Sequence, residues 1–306
     1  MKKLSLLSKI QNFLLLLIYK IKPKFFFFSY FDYFNSYPAY PEITGLKFSK
    51  SSKVAKKDEV IYLPNDAQLT WQLMKYGDLN YSISRIIKRK LDKKDKYIFI
   101  DIGSNVGLVS RQLYLQNKNI NKFICVEPVK STFSCLKINT SNLENFHLYN
   151  FGLGKKNKFD TIFVDKSNHG NASLEKTMMK FSKYKKFSKE QIEIRSVKSF
   201  FKTIQSKIRG RKLIIKIDTQ SHDELIVSMI PKNILKNVVL LNYELTSVKG
   251  IDKPKVSSQD FINRIKMFKT VWSEDLGNLE HERLLKLANN SNINMNLETD
   301  IYLLKN

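Results

Sequence analysis

The stretch YIFIDIGSNVGLVSRQLY, residues 97–114, decides the fold of this chain. It begins with a short apolar run, passes through a polar, glycine-containing turn and becomes apolar again at Leu108. The polar and glycine positions of the turn are Asp101, Gly103, Asn105 and Gly107. The first run predicts a buried parallel strand and the second predicts the start of a helix. The turn therefore joins a strand to a helix, and it holds two of only ten glycines in the chain.

Such a turn is suited to bind a ligand. Glycine permits positive φ and close approach of the backbone to a bound molecule, and a helix N-terminus offers unpaired N–H groups to anionic oxygens. In open α/β sheets, ligands bind at the carboxyl ends of the strands. The spacing D-x-G-x-N-x-G differs from the dinucleotide motif G-x-G-x-x-G, which disfavours a nicotinamide-dependent dehydrogenase. Taken alone, the turn could instead be structural.

A second strand strengthens the ligand interpretation. The segment KFICVEP, residues 122–128, is apolar and ends in Glu127. An acid at the end of the second strand can accept hydrogen bonds from both ribose hydroxyls of a nucleoside. The following segment, from Val129 to about Thr140, predicts a helix that completes a βαβ unit. The two segments together predict a nucleoside-binding arrangement.

At this level of detail the sequence resembles the FkbM family of S-adenosylmethionine-dependent methyltransferases. The resemblance covers roughly residues 95–250, about half of the chain, and its specificity lies in the order of the motifs. The motifs are FIDIGSNVGLVS, ICVEPVKSTFSCLKIN, LYNFGLGKKN, HGNASLEK, IEIRSVKSFF, LIIKIDTQSHDELIVSMI and VVLLNYEL.

The predicted fold is a doubly wound, mostly parallel, Rossmann-like α/β sheet with helices on both faces. It occupies residues 96–306 and follows an N-terminal helical extension, residues 1–95. An antiparallel strand near the end is expected in either 267–273 or 296–304. The other strands are expected near 97–101, 122–127, 146–151, 160–164, 192–196, 213–218 and 238–245.

The resemblance implies S-adenosyl-L-methionine as cofactor, held by residues that follow the first three strands. They are Asp101, Gly103, Asn105 and Gly107 for the methionine half, Glu127 for the ribose, and Asn150 and Gly152 near the adenine. The sequence contains no cluster that demands a metal ion.

The implied reaction is O-methylation of a hydroxyl on a sugar, a glycan or a secondary metabolite. Alignment and desolvation contribute most to methyl transfer, and an oxygen nucleophile must also lose its proton. The candidate bases are Asp218 and His222, followed by His169. Asp218 could instead cap the next helix, and each histidine could be an exposed turn residue. Glu244 could line the pocket from the far side.

Two departures from the family pattern fall in the loop after Asp218. Ser221 stands where the family usually has glycine, and Asp223 or Glu224 stands where it usually has glutamate. These changes leave the fold prediction intact but affect the chemistry expected of the loop.

The net charge of +25 leaves other functions open. It could reflect attraction to nucleic acid or anionic lipid, or a compositional bias, since the lysines are spread along the chain. An RNA methyltransferase is one alternative, although neither aromatic platforms nor an Asn/Asp-Pro-Pro-Tyr motif is visible. A non-catalytic, membrane-associated scaffold with the same fold is another.

Localisation is predicted from the cysteines and the N-terminus. Cys125 and Cys135 form no CxxC pair and lie in segments that predict buried structure, which fits a reduced cytoplasm. The apolar run Phe13–Tyr19 is far shorter than the roughly 20 residues of a membrane span, and no cleavage site follows it. Residues 1–34 are therefore expected to lie at the inner face of an anionic membrane or to pack as an arm on protein.

Deletion of residues 1–34 distinguishes these two alternatives. An interfacial helix predicts that the intact chain co-sediments with vesicles containing anionic lipid and that the shortened chain stays in the supernatant. An arm packed on protein predicts that neither chain sediments. Lipid-free tubes provide the control for aggregation.

Overall fold

The computed structural model describes most of residues 43–305. The predicted N-terminal segment, residues 1–34, lies outside the described part. No described helix combines the length and hydrophobicity that a membrane crossing requires. The positions left out within 43–305 are 49, 65–68, 71, 74–81, 166–167, 182–186, 249 and 290–296.

Thirteen strands and nine α-helices are described, and two 3₁₀ turns, His169–Asn171 and Lys176–Phe181, accompany them. The strands are β1 Ile43–Lys47, β2 Val60–Pro64, β3 Tyr97–Ile102, β4 Ile120–Val126, β5 Phe146–Tyr149, β6 Gly152–Gly154, β7 Lys158–Asp165, β8 Phe187–Ser196, β9 Lys212–Ile217, β10 Val238–Ser247, β11 Thr270–Ser273, β12 Gly277–Asn278 and β13 Leu297–Leu304. The helices are α1 Ser82–Lys90, α2 Leu108–Gln116, α3 Lys130–Thr140, α4 Val197–Thr203, α5 Gln205–Ile208, α6 Asp223–Met229, α7 Lys232–Leu235, α8 Ser258–Ile265 and α9 His281–Asn289.

The central sheet has eight strands in the order β12-β11-β13-β10-β9-β3-β4-β5. The pairs from β10 through β5 are parallel, whereas β13 runs antiparallel to both β10 and β11. The chain leaves β3 toward β4 on one side and returns to β9 on the other, so the strand order reverses beside β3. This arrangement confirms the predicted doubly wound, mostly parallel α/β sheet. Both C-terminal candidate segments contain a strand, and the antiparallel one is β13.

Two predicted strands lie outside the central sheet. The segments predicted at 160–164 and 192–196 belong to β7 and β8, which pair antiparallel in a three-stranded sheet of order β6-β8-β7. The predicted third strand, 146–151, is also interrupted after Tyr149. The two strands differ in burial. All residues of β3 are buried, as a central parallel strand requires, whereas two of the eight residues of β7 are exposed and three more are only partly buried. A run of apolar residues does not by itself say which sheet a strand joins.

The core lies on both faces of the central strands. Ile98 and Ile100 of β3 pack with one hydrophobic cluster, and Tyr97 and Phe99 of the same strand pack with the other. This alternation is the period of two of a strand covered on both faces. The β3 strand is thus fixed from both sides, and so is the turn that follows it.

A hairpin of β1 and β2, which the sequence did not predict, packs against α3. Arg111 of α2 anchors it, because the buried guanidinium donates to the carbonyl oxygen of Val54 at 2.8 Å and pairs with Glu59 at 2.6 Å. A buried arginine is stabilised when its charge is paired in this way. The hairpin is therefore fastened to the βαβ unit rather than free of it.

Gly103 allows the ends of β3 and β9 to meet. Its φ is 80°, and the amide of Asp218 donates to the carbonyl oxygen of Ile102 at 2.9 Å. A Cβ atom on Gly103 would lie 1.8 Å from the carbonyl oxygen of Asp218, a distance that no side chain tolerates. Glycine is thus required here for both its conformation and its small size.

Replacing Gly103 with alanine is expected to lower the free energy of unfolding by about 3–5 kcal/mol, because the new Cβ forces β3 and β9 apart. Gly210 is the matched control, since its φ is also positive, at 66°, but nothing lies within 4 Å of the position that a Cβ atom would take there. Gly210→Ala should cost only about 1 kcal/mol of conformational strain. Urea unfolding measures both, and equal losses would contradict the close approach.

Candidate active site

A cavity of about 430 Å³ opens at the carboxyl ends of the central strands. The turn after β3, the end of β4, the loop after β9, and strands β10 and β13 form its floor. The three-stranded sheet and the 3₁₀ turn at His169–Asn171 line its other side. The cavity lies where the strand order reverses, which is where open α/β sheets bind ligands.

The turn after β3 is held by hydrogen bonds to the end of β4. The amides of Gly103 and Ser104 both donate to the carbonyl oxygen of Val126, and the Ser104 hydroxyl accepts from the Val126 amide at 3.0 Å. Asn105 has a φ of 49° and lines the cavity next to Gly103. Its side-chain oxygen Oδ1 is buried without a hydrogen-bond partner among the described residues. This turn is therefore rigid and presents one unsatisfied acceptor.

Glu127 lies at the end of β4 with both carboxylate oxygens oriented. Oε2 accepts from the amide of Asn105 at 3.0 Å, and Oε1 accepts from the amide of Val129 at 2.9 Å. Each oxygen keeps a second lone-pair direction for a ligand donor. Burial raises the pKa of Glu127 to about 7, against the two backbone hydrogen bonds that lower it. Glu127, which the sequence predicts to bind the ribose, is thus in a position to accept hydrogen bonds from hydroxyl groups.

An apolar wall lines the cavity beside the end of β4. Gly152, a predicted adenine contact, lines this wall, and a Cβ atom there would lie 2.7 Å from Cδ1 of Ile194. Sequence reasoning missed the rest of the wall, because most of it comes from the three-stranded sheet. Its members are Phe151, Leu153, Ile162, Ile192 and Ile194. A flat apolar surface of this kind is suited to an aromatic base.

Three predicted cofactor residues do not line the cavity. Asp101 is fully buried and accepts from the Ser110 hydroxyl at 2.6 Å. Gly107 begins helix α2 and packs against Leu136, which a Cβ atom would approach to 2.6 Å. The Asn150 side chain donates to the carbonyl oxygen of Glu127 at 2.9 Å. The sequence placed them in the right loops, but the side chains of Asp101 and Asn150 hydrogen-bond within those loops, and Gly107 allows helix α2 to pack against α3.

Asp218 projects from the end of β9 into the cavity, as predicted. Lys216 donates to its Oδ2 at 2.9 Å and lies 3.9 Å from Oδ1 of Asp101. The Asp218 side chain is 38% exposed, whereas that of Lys216 is 10% exposed. Charges on Asp218 and Asp101 raise the pKa of Lys216 against the effect of burial. This lysine therefore stays charged and keeps Asp218 in place, a role that no local motif revealed.

His222 and His169 both line the cavity. His222 is only 8% exposed, so the alternative of an exposed first-turn residue is wrong, and its Nδ1 has no partner among the described residues. Burial lowers the pKa of each histidine to about 4. Both rings are therefore neutral near pH 7, and each adds no positive charge to the cavity.

Glu244 of β10 and Glu298 of β13 line the side of the cavity farthest from Glu127. Gln220 bridges this side, because its Nε2 donates to Oε2 of Glu244 at 2.9 Å and to Oδ1 of Asp218 at 3.2 Å. Burial and the neighbouring carboxylates raise the pKa of Glu244. Glu244 was expected at this position, whereas Glu298 was missed because its strand is distant in sequence.

The charge of the cavity is opposite to that of the chain. Four carboxyl groups line it, and no lysine or arginine does so among the described residues. They are Glu127, Asp218, Glu244 and Glu298. In a protein of net charge +25, this lining favours a cationic ligand and disfavours a pyrophosphate. No group of three or more metal-ligating side chains is found in the described part of the chain.

The loop after Asp218 is strained and tightly held. Gln220 and Ser221 have φ values of 50° and 89°, so serine occupies a glycine-like conformation where the family pattern has glycine. The Ser173 hydroxyl donates to the Gln220 carbonyl oxygen at 2.8 Å. The carboxylate of Asp223 accepts from the Thr219 amide at 3.2 Å. Asp223 thus fixes the loop from outside the cavity, and burial raises its pKa to about 8.

No protein-family model and no curated protein matches the chain. Solved structures resemble it weakly. Fibrillarin from Aeropyrum pernix with natively bound S-adenosyl-L-methionine is 9% identical, with a TM-score of 0.37 over 72% of this chain and 73% of that chain. Methyltransferase FkbM from Methylobacillus flagellatus is 11% identical, with a TM-score of 0.36 over 70% and 44%. The N-terminal domain of human METTL16 with SAH is 10% identical, with a TM-score of 0.32 over 72% and 66%. At such identities the likeness concerns the fold alone, and the function has to be argued from the residues of this chain.

Replacing Ser221 with glycine is expected to raise the free energy of unfolding by roughly 0.5–1 kcal/mol, because it removes left-handed strain. Ser228 is the matched control: it is also buried, but it lies within helix α6. Ser228→Gly should lower stability by at least about 1 kcal/mol, since glycine disfavours a helix. Thermal unfolding reports both changes, and a loss of stability in Ser221→Gly would contradict the strain.

Proposed function

We propose that this chain is an S-adenosyl-L-methionine-dependent methyltransferase that methylates a hydroxyl oxygen of a sugar, a glycan or a secondary metabolite, as the resemblance to the FkbM family implies. The proposal rests on one observation. A cavity lined by acidic residues opens where the strand order of the doubly wound sheet reverses, and it holds an oriented carboxylate beside an apolar wall. Oxygen as the methylated atom and the FkbM family itself rest on the sequence motifs.

The residues of the cavity fit the three parts of the cofactor. Glu127 offers acceptor directions to the ribose hydroxyls, and the wall that includes Phe151 and Ile194 offers an apolar surface to the adenine. The carboxyl groups of the lining favour the positive sulfonium. The buried, unpaired Oδ1 of Asn105 marks a place for a ligand donor close to the turn after β3.

When bound, the cofactor supplies a methyl group that is already electrophilic. The chain must then align the acceptor and remove its proton. Asp218 is the favoured base, because its carboxylate lies on the cavity wall and Lys216 fixes its direction. His222 is the second candidate, since its neutral ring also lies on the wall. The apolar wall limits the access of water.

A small acceptor is favoured over RNA. An RNA strand would bring phosphates to a cavity whose described lining has no lysine or arginine to receive them. The scaffold alternative requires that no cofactor binds, which a titration tests directly. A cytoplasmic location stays a prediction; Cys125 and Cys135 are both free and buried, which fits a reducing compartment.

The first experiment is a calorimetric titration of the chain with S-adenosyl-L-methionine, with NAD as the comparison ligand. We expect the former to bind and NAD not to bind. Glu127→Gln should weaken binding at least about tenfold, because an amide cannot accept from both ribose hydroxyls as a carboxylate does. Exposed Glu144 provides a control with the same loss of charge, and Glu144→Gln should bind normally. Unchanged affinity in Glu127→Gln would exclude the ribose assignment.

The affinity of the chain for S-adenosyl-L-methionine should also depend on pH, because Glu127 ionises in this range. Its free pKa of about 7 falls when ribose hydroxyls bind to the ionised form, so a proton is released on binding at lower pH. The dissociation constant should therefore decrease up to about tenfold from pH 6 to pH 8. Glu127→Gln should remove this part of the pH dependence, and an identical slope in the variant would assign the proton to another group.

A further inference from the structure

The cavity extends to a second end, which lies too far from Glu127 for that carboxylate to contact a ligand there. Glu127 follows β4 and Glu244 belongs to β10, and three strand spacings separate them in the order β4-β3-β9-β10. Neighbouring strands lie about 4.8 Å apart, so the two carboxyl groups are separated by roughly 14 Å along the sheet. We call the part lined by Asp218, Gln220, Glu244 and Glu298 the acceptor end.

The polar groups that line the acceptor end are mainly oxygen atoms that accept hydrogen bonds. Asp218, Glu244 and Glu298 contribute carboxyl groups, and Gln220 contributes an amide whose Nε2 is already used by Asp218 and Glu244. The Gln220 oxygen, Oε1, is therefore the polar atom of this side chain that remains for a ligand. A ligand placed here must offer several donors, which an ammonium group does with three N–H bonds.

Two deeply buried polar side chains on the cavity wall each have one atom without a hydrogen-bond partner among the described residues. Gln220 and His222 are each 8% exposed, and neither Oε1 of Gln220 nor Nδ1 of His222 has a hydrogen-bond partner among the described residues. An unpaired buried polar atom destabilises the folded chain. Gln220 belongs to the acceptor end and His222 lines the same cavity, which indicates a polar ligand that would satisfy these atoms.

The carboxyl groups exceed what the cofactor would neutralise. S-adenosyl-L-methionine carries one net positive charge, and Asp218 and Asp101 share the single positive charge of Lys216. The charge of Lys158 contributes to the lowered pKa of His222, but Lys158 is itself paired with Asp160. Glu244 and Glu298 are left facing the cavity, and burial together with the neighbouring carboxyl groups raises the pKa of Glu244.

We propose that the acceptor end binds the protonated amine of an amino alcohol, such as an amino sugar, whose neighbouring hydroxyl receives the methyl group. Glu244, Glu298 and Oε1 of Gln220 hold the ammonium, and Asp218 faces the hydroxyl. This inference rests on the proposed methyltransferase function and specifies its substrate class. It excludes acceptors that carry phosphate or carboxylate at this position.

The step balances with these groups alone. The hydroxyl oxygen forms a bond to the methyl carbon, and the carbon–sulfur bond breaks with its electron pair remaining on sulfur. The hydroxyl proton passes to the Asp218 carboxylate. The amine stays protonated and unmethylated, because its lone pair is occupied by a proton while Glu244 and Glu298 bind it.

The test compares ligands that share a ring and differ in charge. The intact chain, loaded with S-adenosyl-L-homocysteine, is titrated with glucosamine, glucose and glucuronic acid, and ethanolamine serves as a minimal amino alcohol. We expect glucosamine to bind at least about tenfold more tightly than glucose, ethanolamine to bind measurably, and glucuronic acid not to bind. Turnover with labelled S-adenosyl-L-methionine should place the label on oxygen.

Glu298→Gln and the double variant Glu244→Gln/Glu298→Gln should reduce the preference for glucosamine over glucose to within about threefold. Their affinity for S-adenosyl-L-homocysteine should stay within about twofold, which also shows that they are folded, and Glu144→Gln serves as the charge control. Equal binding of all three sugars, absence of amine binding to the loaded chain, or label on nitrogen would each overturn the inference. If neither S-adenosyl-L-methionine nor S-adenosyl-L-homocysteine binds, the proposed function itself fails.

Discussion

The close approach of two strand ends is the constraint on which the rest of the structure depends. The hydrogen bond from the Asp218 amide to the Ile102 carbonyl oxygen brings the end of β9 against the turn after β3. Only glycine fits at position 103 in that contact. Because of it, the residues that follow β4, β3 and β9 face a single cavity. Without it, Glu127 and Asp218 would belong to separate surfaces, and the cavity would have no floor.

Electrostatics is local in this protein. The chain carries a net charge of +25, yet its cavity is lined by carboxyl groups. Lys216 reconciles the two, since it lies buried between Asp101 and Asp218 and allows both acids to be close to each other. Removing such a lysine would leave uncompensated buried charge, which is costly. The net charge of the chain therefore does not predict the charge of the ligand, whereas the carboxyl groups of the cavity lining favour a cationic one.

The loop after β9 illustrates strain that is kept at a site. Gln220 and Ser221 hold left-handed backbone conformations, and hydrogen bonds from Ser173 and to Asp223 over-determine the loop. The result is that the Gln220 amide reaches both Asp218 and Glu244. Serine at position 221 thus adds to the conformational cost of the loop.

The sequence alone determined the strand-turn-helix unit, the acid after the second strand and the end of the sheet where the cavity opens. These follow from short patterns, because a run of apolar residues, a glycine and a terminal carboxylate act within one loop. Only the tertiary structure decided that Phe151 and Ile194 form a wall, that Glu298 joins Glu244, and that Asp101 faces away from the cavity. These depend on which sheet a strand joins and which way a side chain turns, and long-range packing sets both.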